Sequence, residues 1–121
     1  MSELEYPPAL VHLVLSVNKI SEIEPGFSNL PVLERLHLSN NQMKAIHKDN
    51  SEGLIHFKVL NLENNEISTI EPGAFSLLSK LESLWLTTNH LMSLPVRELK
   101  PLIALKYLYL SGNKISFEPN E

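Results

Sequence analysis

The sequence predicts an α/β-type solenoid: a right-handed coil with a concave parallel β-sheet and a mostly irregular or short-helical convex face. Three observations predict it. Asparagine recurs at nearly constant intervals, the same pattern of apolar residues precedes each of these asparagines, and segments containing Pro or Gly separate most successive copies. Regular self-similarity of this kind is typical of proteins whose units stack in one dimension.

The repeat is defined by five asparagines that lie 23, 24, 24 and 24 residues apart. Each follows a segment with apolar residues at its first, fourth and sixth positions, and another apolar residue comes two positions after the asparagine. The segments begin at 10, 33, 57, 81 and 105, which leaves 1–9 as a lead-in and 116–121 as a tail of one domain, 1–121. The asparagines are Asn18, Asn41, Asn65, Asn89 and Asn113.

The spacing of the apolar residues predicts a strand in every repeat. Leu84 and Leu86 are two positions apart, so both point to the same side of an extended strand and Trp85 points to the other. One coil cannot bury its own leucines, but stacked coils share a continuous core. We expect the asparagine at each corner to be buried and to satisfy backbone groups that the turn leaves unpaired. We therefore interpret the five asparagines as a structural ladder.

The second half of each repeat forms the outer face of the coil. The first and third repeats are near copies in this half. Both contain a Pro-Gly pair, which disfavours a long helix or strand. We expect Phe27 and Phe75 to fill the core from the convex side. The second repeat has Ser51 at this place, and Ile55 or His56 are the candidates to compensate for it.

The pattern Leu-x-x-Leu-x-Leu-x-x-Asn-x-Ile is joined to Ile70-Glu-Pro-Gly-Ala-Phe75 at a 24-residue period. This combination resembles the typical class of leucine-rich repeats, which is common in ectodomains similar to Toll-like receptors and small leucine-rich proteoglycans. The pair Pro7-Pro8 before the first repeat is similar to proteins of that kind. The resemblance implies a curved solenoid that binds protein or glycan ligands on its concave face. The chain has no cysteine, so it lacks the cysteine-bridged caps usual in such ectodomains.

Outward strand positions form columns across the repeats, and they hold the only Trp and two of the three Tyr. Large amphipathic aromatic residues are favoured at the centres of protein interfaces. We predict a protein-binding surface on this face, with an aromatic half and a polar half. Alternatively, the aromatic rings only cover the sheet and the polar residues are ordinary solvated side chains. The candidate binding residues are Trp85, Tyr107 and Tyr109 together with Arg35, His37, Asn61 and Glu63.

Composition argues against several other functions. A net charge of −4 without a basic run disfavours a nucleic-acid partner, and no apolar stretch is long enough for membrane insertion. His12 and His37 lie close on the predicted face, but a metal site would need a third ligand that the pattern does not place. No nucleophile motif, phosphate loop or two-histidine metal motif occurs. We predict a binding module, not an enzyme, with no cofactor.

The last predicted strand suggests a second kind of function. It would expose an edge, and an exposed edge can pair with another copy of the chain. The alternative is therefore a structural, self-associating module that forms a homodimer through its uncapped C-terminal edge.

Three features that the sequence lacks bear on the cellular compartment. The chain has no cysteine and no Asn-x-Ser/Thr acceptor among its eleven asparagines, and its acidic N-terminus predicts no signal peptide. These features favour an intracellular chain, whereas the resemblance to ectodomains favours a fragment of a secreted protein.

Overall fold

The structure is a computed structural model that describes residues 7–23, 30–49 and 54–116. Within these ranges the secondary structure consists of short strands and a single short helix. The elements are β1 (His12–Val14), β2 (Arg35–His37), β3 (Ala45–Ile46), β4 (Val59–Asn61), β5 (Thr69–Ile70), β6 (Ser83–Trp85), α1 (Val96–Leu99) and β7 (Tyr107–Tyr109).

Five of the strands form one parallel sheet in the order β1-β2-β4-β6-β7. Equivalent residues of the repeats pair without any slip, so the inward leucines lie in one row across the sheet. The chain is thus a β-solenoid of about four turns, which confirms the predicted fold class. The central row is Leu13, Leu36, Leu60, Leu84 and Leu108.

The core lies between this sheet and the outer halves of the repeats. Phe75 is fully buried, as expected, whereas Phe27 and Ser51 lie outside the described residues. The expectation that Ile55 or His56 compensates for Ser51 is wrong, because both side chains are exposed. The reason is register: the neighbouring Leu54 is the residue that aligns with the buried leucines of other coils. That buried column is Leu30, Leu54, Leu78 and Leu102.

A second, two-stranded sheet pairs β3 with β5 on the flank of the coil. Just beyond β5, the Glu71 N–H donates to the carbonyl of Ile46 at 3.0 Å. In the following coil Pro95 stands at the position of Glu71, and it has no N–H to donate. The flank sheet ends there and α1 begins, so the rest of the described convex face is irregular.

The turn after each sheet strand requires a left-handed backbone at one position. The residue just before the ladder asparagine has a positive φ in all five repeats, although the five side chains differ. Glycine adopts this region freely and asparagine tolerates it, whereas β-branched Val17 and Thr88 are strained there. The φ angles are 59° at Val17, 58° at Asn40, 55° at Asn64, 54° at Thr88 and 76° at Gly112.

Candidate functional site

The concave face of the five-stranded sheet carries the sequence-predicted binding residues. Outward side chains alternate with the inward leucines and line up across the repeats in two columns. At a strand spacing of about 4.8 Å, each column spans roughly 19 Å. One column is His12, Arg35, Val59, Ser83 and Tyr107, and the other is Val14, His37, Asn61, Trp85 and Tyr109.

Trp85 and Tyr109, here called the aromatic pair, stack directly on each other. Their ring centroids are 3.9 Å apart and the rings are inclined by 28°. Stacking of this kind is worth about 0.5–1.5 kcal/mol beyond the burial of area. Trp85 remains half-buried and Tyr109 is 36% exposed, while the nearby Tyr107 is 56% exposed. The aromatic half of the face is therefore both ordered and accessible.

His12, Arg35 and His37, here called the basic cluster, lie on the first two strands. The rings of His12 and His37 are 4.8 Å apart, centroid to centroid, at an angle of 47°. Burial, followed by the positive charges of His12 and Arg35, lowers the pKa of His37 below its ordinary value. The cluster therefore brings three potentially cationic groups together, and this proximity together with burial disfavours the protonated form of His37.

Asn61 joins the basic cluster to the middle of the face. Its Nδ2 lies 3.4 Å from Nδ1 of His37, and its Oδ1 accepts the backbone N–H of Glu63 at 2.9 Å. An amide donating to Nδ1 requires the tautomer of His37 that carries its proton on Nε2. The structure thus brings His37, Asn61 and the backbone of Glu63 into one chain of contacts.

Sequence reasoning did not include His12 among the binding residues, yet the structure places it against His37. The sequence pattern could have indicated His12 as a binding residue, because it occupies the same outward column as Arg35 and pairs directly with it in the register. Its ring reaches across to His37 in the neighbouring column, in agreement with the expectation that the two histidines lie close on this face.

The ladder asparagines lie at the corner where the coil leaves the sheet. Asn65 is 4% exposed, and its Oδ1 accepts the N–H of Met43 in the preceding repeat at 3.0 Å. Its Nδ2 donates to the carbonyls of Leu38 and Leu62, both at 3.0 Å. One side chain thereby satisfies groups of two coils. Equivalent bonds are made by Asn41, Asn89 and Asn113.

Asn18 differs from the other ladder asparagines. It is exposed, and among the described residues its amide donates only within its own repeat, to the carbonyls of Leu15 and Ser16. The expectation that every corner asparagine is buried is therefore wrong for Asn18, and Asn113 is only half-buried. The cause is the stacking, since the described residues include no coil in front of the first one.

A second polar cluster lies on the flank of the coil, away from the concave face. Nδ1 of His47 is 2.7 Å from Oε2 of Glu71, and Nε2 is 3.9 Å from Oε1 of Glu22. The hydrogen bond to Glu71 raises the pKa of His47, and the same bond lowers the pKa of Glu71. Glu71 also accepts the backbone N–H of Lys48 at 3.0 Å. These contacts tie three successive coils together.

The flank cluster borders a groove of about 430 Å³, which is lined by Ser21, Glu22, Gln42, Lys44, Ala45, His47 and Glu66. The groove mixes acids with bases and is open to solvent. Among residues 7–23, 30–49 and 54–116, no group of three or more His, Asp or Glu side chains is arranged to hold a metal ion. None of the helices in the same ranges has the length and apolar character needed to cross a membrane.

Comparison with family models places the chain among repeat proteins. The model described as leucine rich repeat matches residues 31–91, about half of the chain. A model of two leucine-rich-repeat copies matches residues 8–53, and a single-repeat model matches residues 104–121.

Relatives with similar sequences are much longer than this chain. Toll-like receptor 2 type-2 of Gallus gallus is 33% identical over 75 residues, which are 60% of this chain and 10% of the receptor. The human leucine-rich repeats and immunoglobulin-like domains protein 1 is 40% identical over 60 residues, which are 49% of this chain and 5% of that protein. The chain thus spans a tenth or less of the length of these relatives.

A solved structure shares the fold over most of the chain. An internalin from Listeria monocytogenes superposes with a TM-score of 0.68 at 31% identity, covering 91% of this chain and 31% of the internalin. The agreement of repeat pattern, sheet register, family models and solved structure leads to one conclusion: this chain belongs to the leucine-rich-repeat family.

Proposed function

We propose that this chain binds another protein through the concave face of its five-stranded sheet. Repeats of this family are typically protein-interaction modules. The observation that carries the proposal is the aromatic pair, Trp85 stacked on Tyr109, with Tyr107 exposed beside it. We propose no catalytic reaction, cofactor or metal for the chain.

The face has the composition of a binding surface. Its C-terminal half presents ordered aromatic rings, which lose little conformational freedom when a partner covers them. Its N-terminal half presents Arg35 and His37, and Asn61 and Glu63 lie between the two halves. A column of five strands supports a modest interface of several hundred Å² per partner.

The test is a double substitution of the aromatic pair, Trp85→Ala with Tyr109→Ala. A partner is first recovered by affinity capture and identified by mass spectrometry, and its dissociation constant is then measured by calorimetry. We expect the double variant to bind at least about tenfold more weakly, because buried aromatic residues dominate interface energies. Circular dichroism must show that the variant keeps its fold.

The matched control is Ile103→Ala, which removes an apolar side chain that is 82% exposed in the turn before β7, outside the sheet. We expect it to bind the partner as the unmodified chain does. Unchanged affinity in the folded double variant, or an equal loss in Ile103→Ala, would contradict the use of the concave face.

A second candidate is self-association through the edge of β7. Among the described residues β7 has only one neighbour in the sheet, and Leu108 and Leu110 are only partly buried. An open edge with partly exposed apolar residues can pair with another copy. Light scattering over a wide concentration range tests this, since a mass that stays monomeric rejects it.

A further inference from the structure

We propose that the concave face recognises an extended acidic segment of a partner protein. A carboxylate of that segment lies over the basic cluster of His12, Arg35 and His37, and an apolar side chain four residues away packs on the aromatic pair. The proposal rests on the proposed function of the concave face and names the chemistry of its partner.

The charge of the face favours an acidic occupant. The chain carries a net charge of −4, yet the basic cluster gathers one Arg and two His on adjacent strands. Within the described part of the chain Arg35 forms no salt bridge, and the adjacent Glu34 faces Lys58 at 3.7 Å. Arg35 therefore offers hydrogen-bond donors and positive charge that no acid of the described chain neutralises. A carboxylate fits a guanidinium through two parallel hydrogen bonds.

The distance between the two halves of the face determines the spacing of the ligand. From β2 to β6 the sheet advances two strands, about 10 Å. An extended peptide covers about 3.3 Å per residue and its side chains alternate between faces, so two side chains contact the sheet together only when they are an even number of residues apart. Arg35 lies two positions before His37 on β2, about 12 Å from Trp85. Four residues of extended peptide cover about 13 Å and bring both side chains to the same face, so a carboxylate over Arg35 and an apolar group on Trp85 are four residues apart.

A peptide suits this face better than a nucleic acid. Arg35 is the only side chain of the basic cluster that is always charged, whereas tight binding to nucleic acid requires several phosphate contacts. Glu63 borders the same face and repels a phosphate backbone. A single carboxylate placed on the basic cluster avoids this repulsion. The cluster lies on β1 and β2, whereas Glu63 follows the end of β4.

Proton uptake is built into the proposed site. The groups facing His37 are His12 from β1, Arg35 from its own strand and the uncharged Asn61 from β4. In the free protein burial, and after it the cationic neighbours, lower the pKa of His37, and a bound carboxylate raises it again. Binding is therefore coupled to protonation, so affinity rises as the pH falls from about 7.5 to about 5.5.

The experiment uses a capped eight-residue peptide with two adjacent glutamates, each followed four residues on by a leucine. Its analogue has glutamine in place of both glutamates. Binding to the full chain is measured by calorimetry and by the fluorescence of Trp85, the only Trp. We expect the glutamate peptide to bind at least about tenfold more tightly than its analogue, because the analogue loses a charge-assisted hydrogen bond.

Matched variants locate the site. Arg35→Gln is expected to weaken the glutamate peptide about tenfold, whereas Arg97→Gln in α1 removes the same charge elsewhere and leaves binding unchanged. His12→Gln combined with His37→Gln is expected to abolish the rise of affinity at low pH. His56→Gln, an exposed histidine outside the sheet, keeps that rise.

Several results would overturn the proposal. They are equal affinity for the two peptides, no binding of the glutamate peptide up to about 1 mM, or no effect of Arg35→Gln. Tighter binding of a single-stranded oligothymidylate at Arg35 would assign the face to nucleic acid instead. If the captured partner is lost by the Trp85→Ala/Tyr109→Ala variant but kept by Arg35→Gln, the concave face binds protein and only the acidic chemistry is wrong.

Discussion

The interior coils and the terminal coils of this solenoid have the same sequence pattern but different environments. Leu36, Leu60 and Leu84 are fully buried, whereas Leu13 and Leu108 occupy the same row and remain partly exposed. Among the described residues, an interior coil has a neighbouring coil on both sides, whereas the first and last coils have a neighbour on one side only. A residue's contribution in such a chain depends on its neighbouring repeats as much as on its own repeat.

The largest expected difference between the two regions concerns the leucine row. Leu60→Ala leaves a cavity between two coils and should lower the free energy of unfolding by about 3–5 kcal/mol. Leu13→Ala removes a side chain that is already partly solvated and should cost about 1–2 kcal/mol. Urea denaturation followed by circular dichroism measures both values. Equal losses would show that the two coils are packed alike.

Substitution of a ladder asparagine should likewise cost more stability in an interior coil than in a terminal coil. Asn65→Ala removes the acceptor of the Met43 N–H and two buried donors, so we expect a loss of about 2–3 kcal/mol. Asn18→Ala removes bonds that water can replace, and the loss should stay below about 1 kcal/mol. Thermal unfolding of the two variants tests this. A large loss at Asn18 would mean that its exposed bonds are essential to the first corner.

At the corner position with a left-handed backbone, substitutions should change the stability in opposite directions at the two ends of the solenoid. Gly112→Ala should destabilise the last coil by about 1–3 kcal/mol, because the new Cβ would lie 2.8 Å from Oγ1 of Thr88 at a φ of 76°. Val17→Asn should stabilise the first coil by about 0.5–1 kcal/mol, since Asn tolerates this region and Val17 is already 78% exposed. Denaturant midpoints measure both, and a destabilising Val17→Asn would contradict the strain argument.

The smallest expected effect concerns the flank cluster, where the interior coils are tied by charge. Because the pKa of His47 is raised, its contribution is present below its ordinary value of 6.5 and is lost as the pH rises through the raised pKa. The lowered pKa of Glu71 makes its contribution present above 4.5 and lost as the pH falls through the lowered pKa. Glu71→Gln should therefore lower the Tm slightly at about pH 5.5 and hardly at about pH 8.5.

The control for this pair is Glu66→Gln, which removes an equal charge from the same groove without breaking the bond to His47. Its Tm should show a much smaller dependence on pH. Nuclear magnetic resonance titration of the His47 ring gives a direct measurement, and its pKa should fall in Glu71→Gln. An unchanged His47 pKa would exclude Glu71 as the cause.

Local spacing was enough to predict most of the sheet and the outward face. The interval between Leu84 and Leu86 predicts the direction of Trp85, and the constant period predicts that Trp85 and Tyr109 are neighbours in one column. The same reasoning placed His12 close to His37 but considered it only as a metal ligand, and so left it out of the binding residues. It also named Ile55 or His56 as compensating for Ser51, and both are exposed, because side-chain directions in an irregular turn cannot be read from alternation.

The sequence by itself determined the repeat, the class of the fold and the identity of the inward and outward residues, because the period of a strand and the period of a coil are both local properties. Only the tertiary structure decided the environment of each repeated residue and therefore how much it contributes to stability. Burial of Asn65 but not Asn18, the lowered pKa of His37 and the contact of His47 with Glu71 all depend on which coil lies alongside. The sequence of a single repeat cannot reveal these differences, because they arise from the way the five repeats stack.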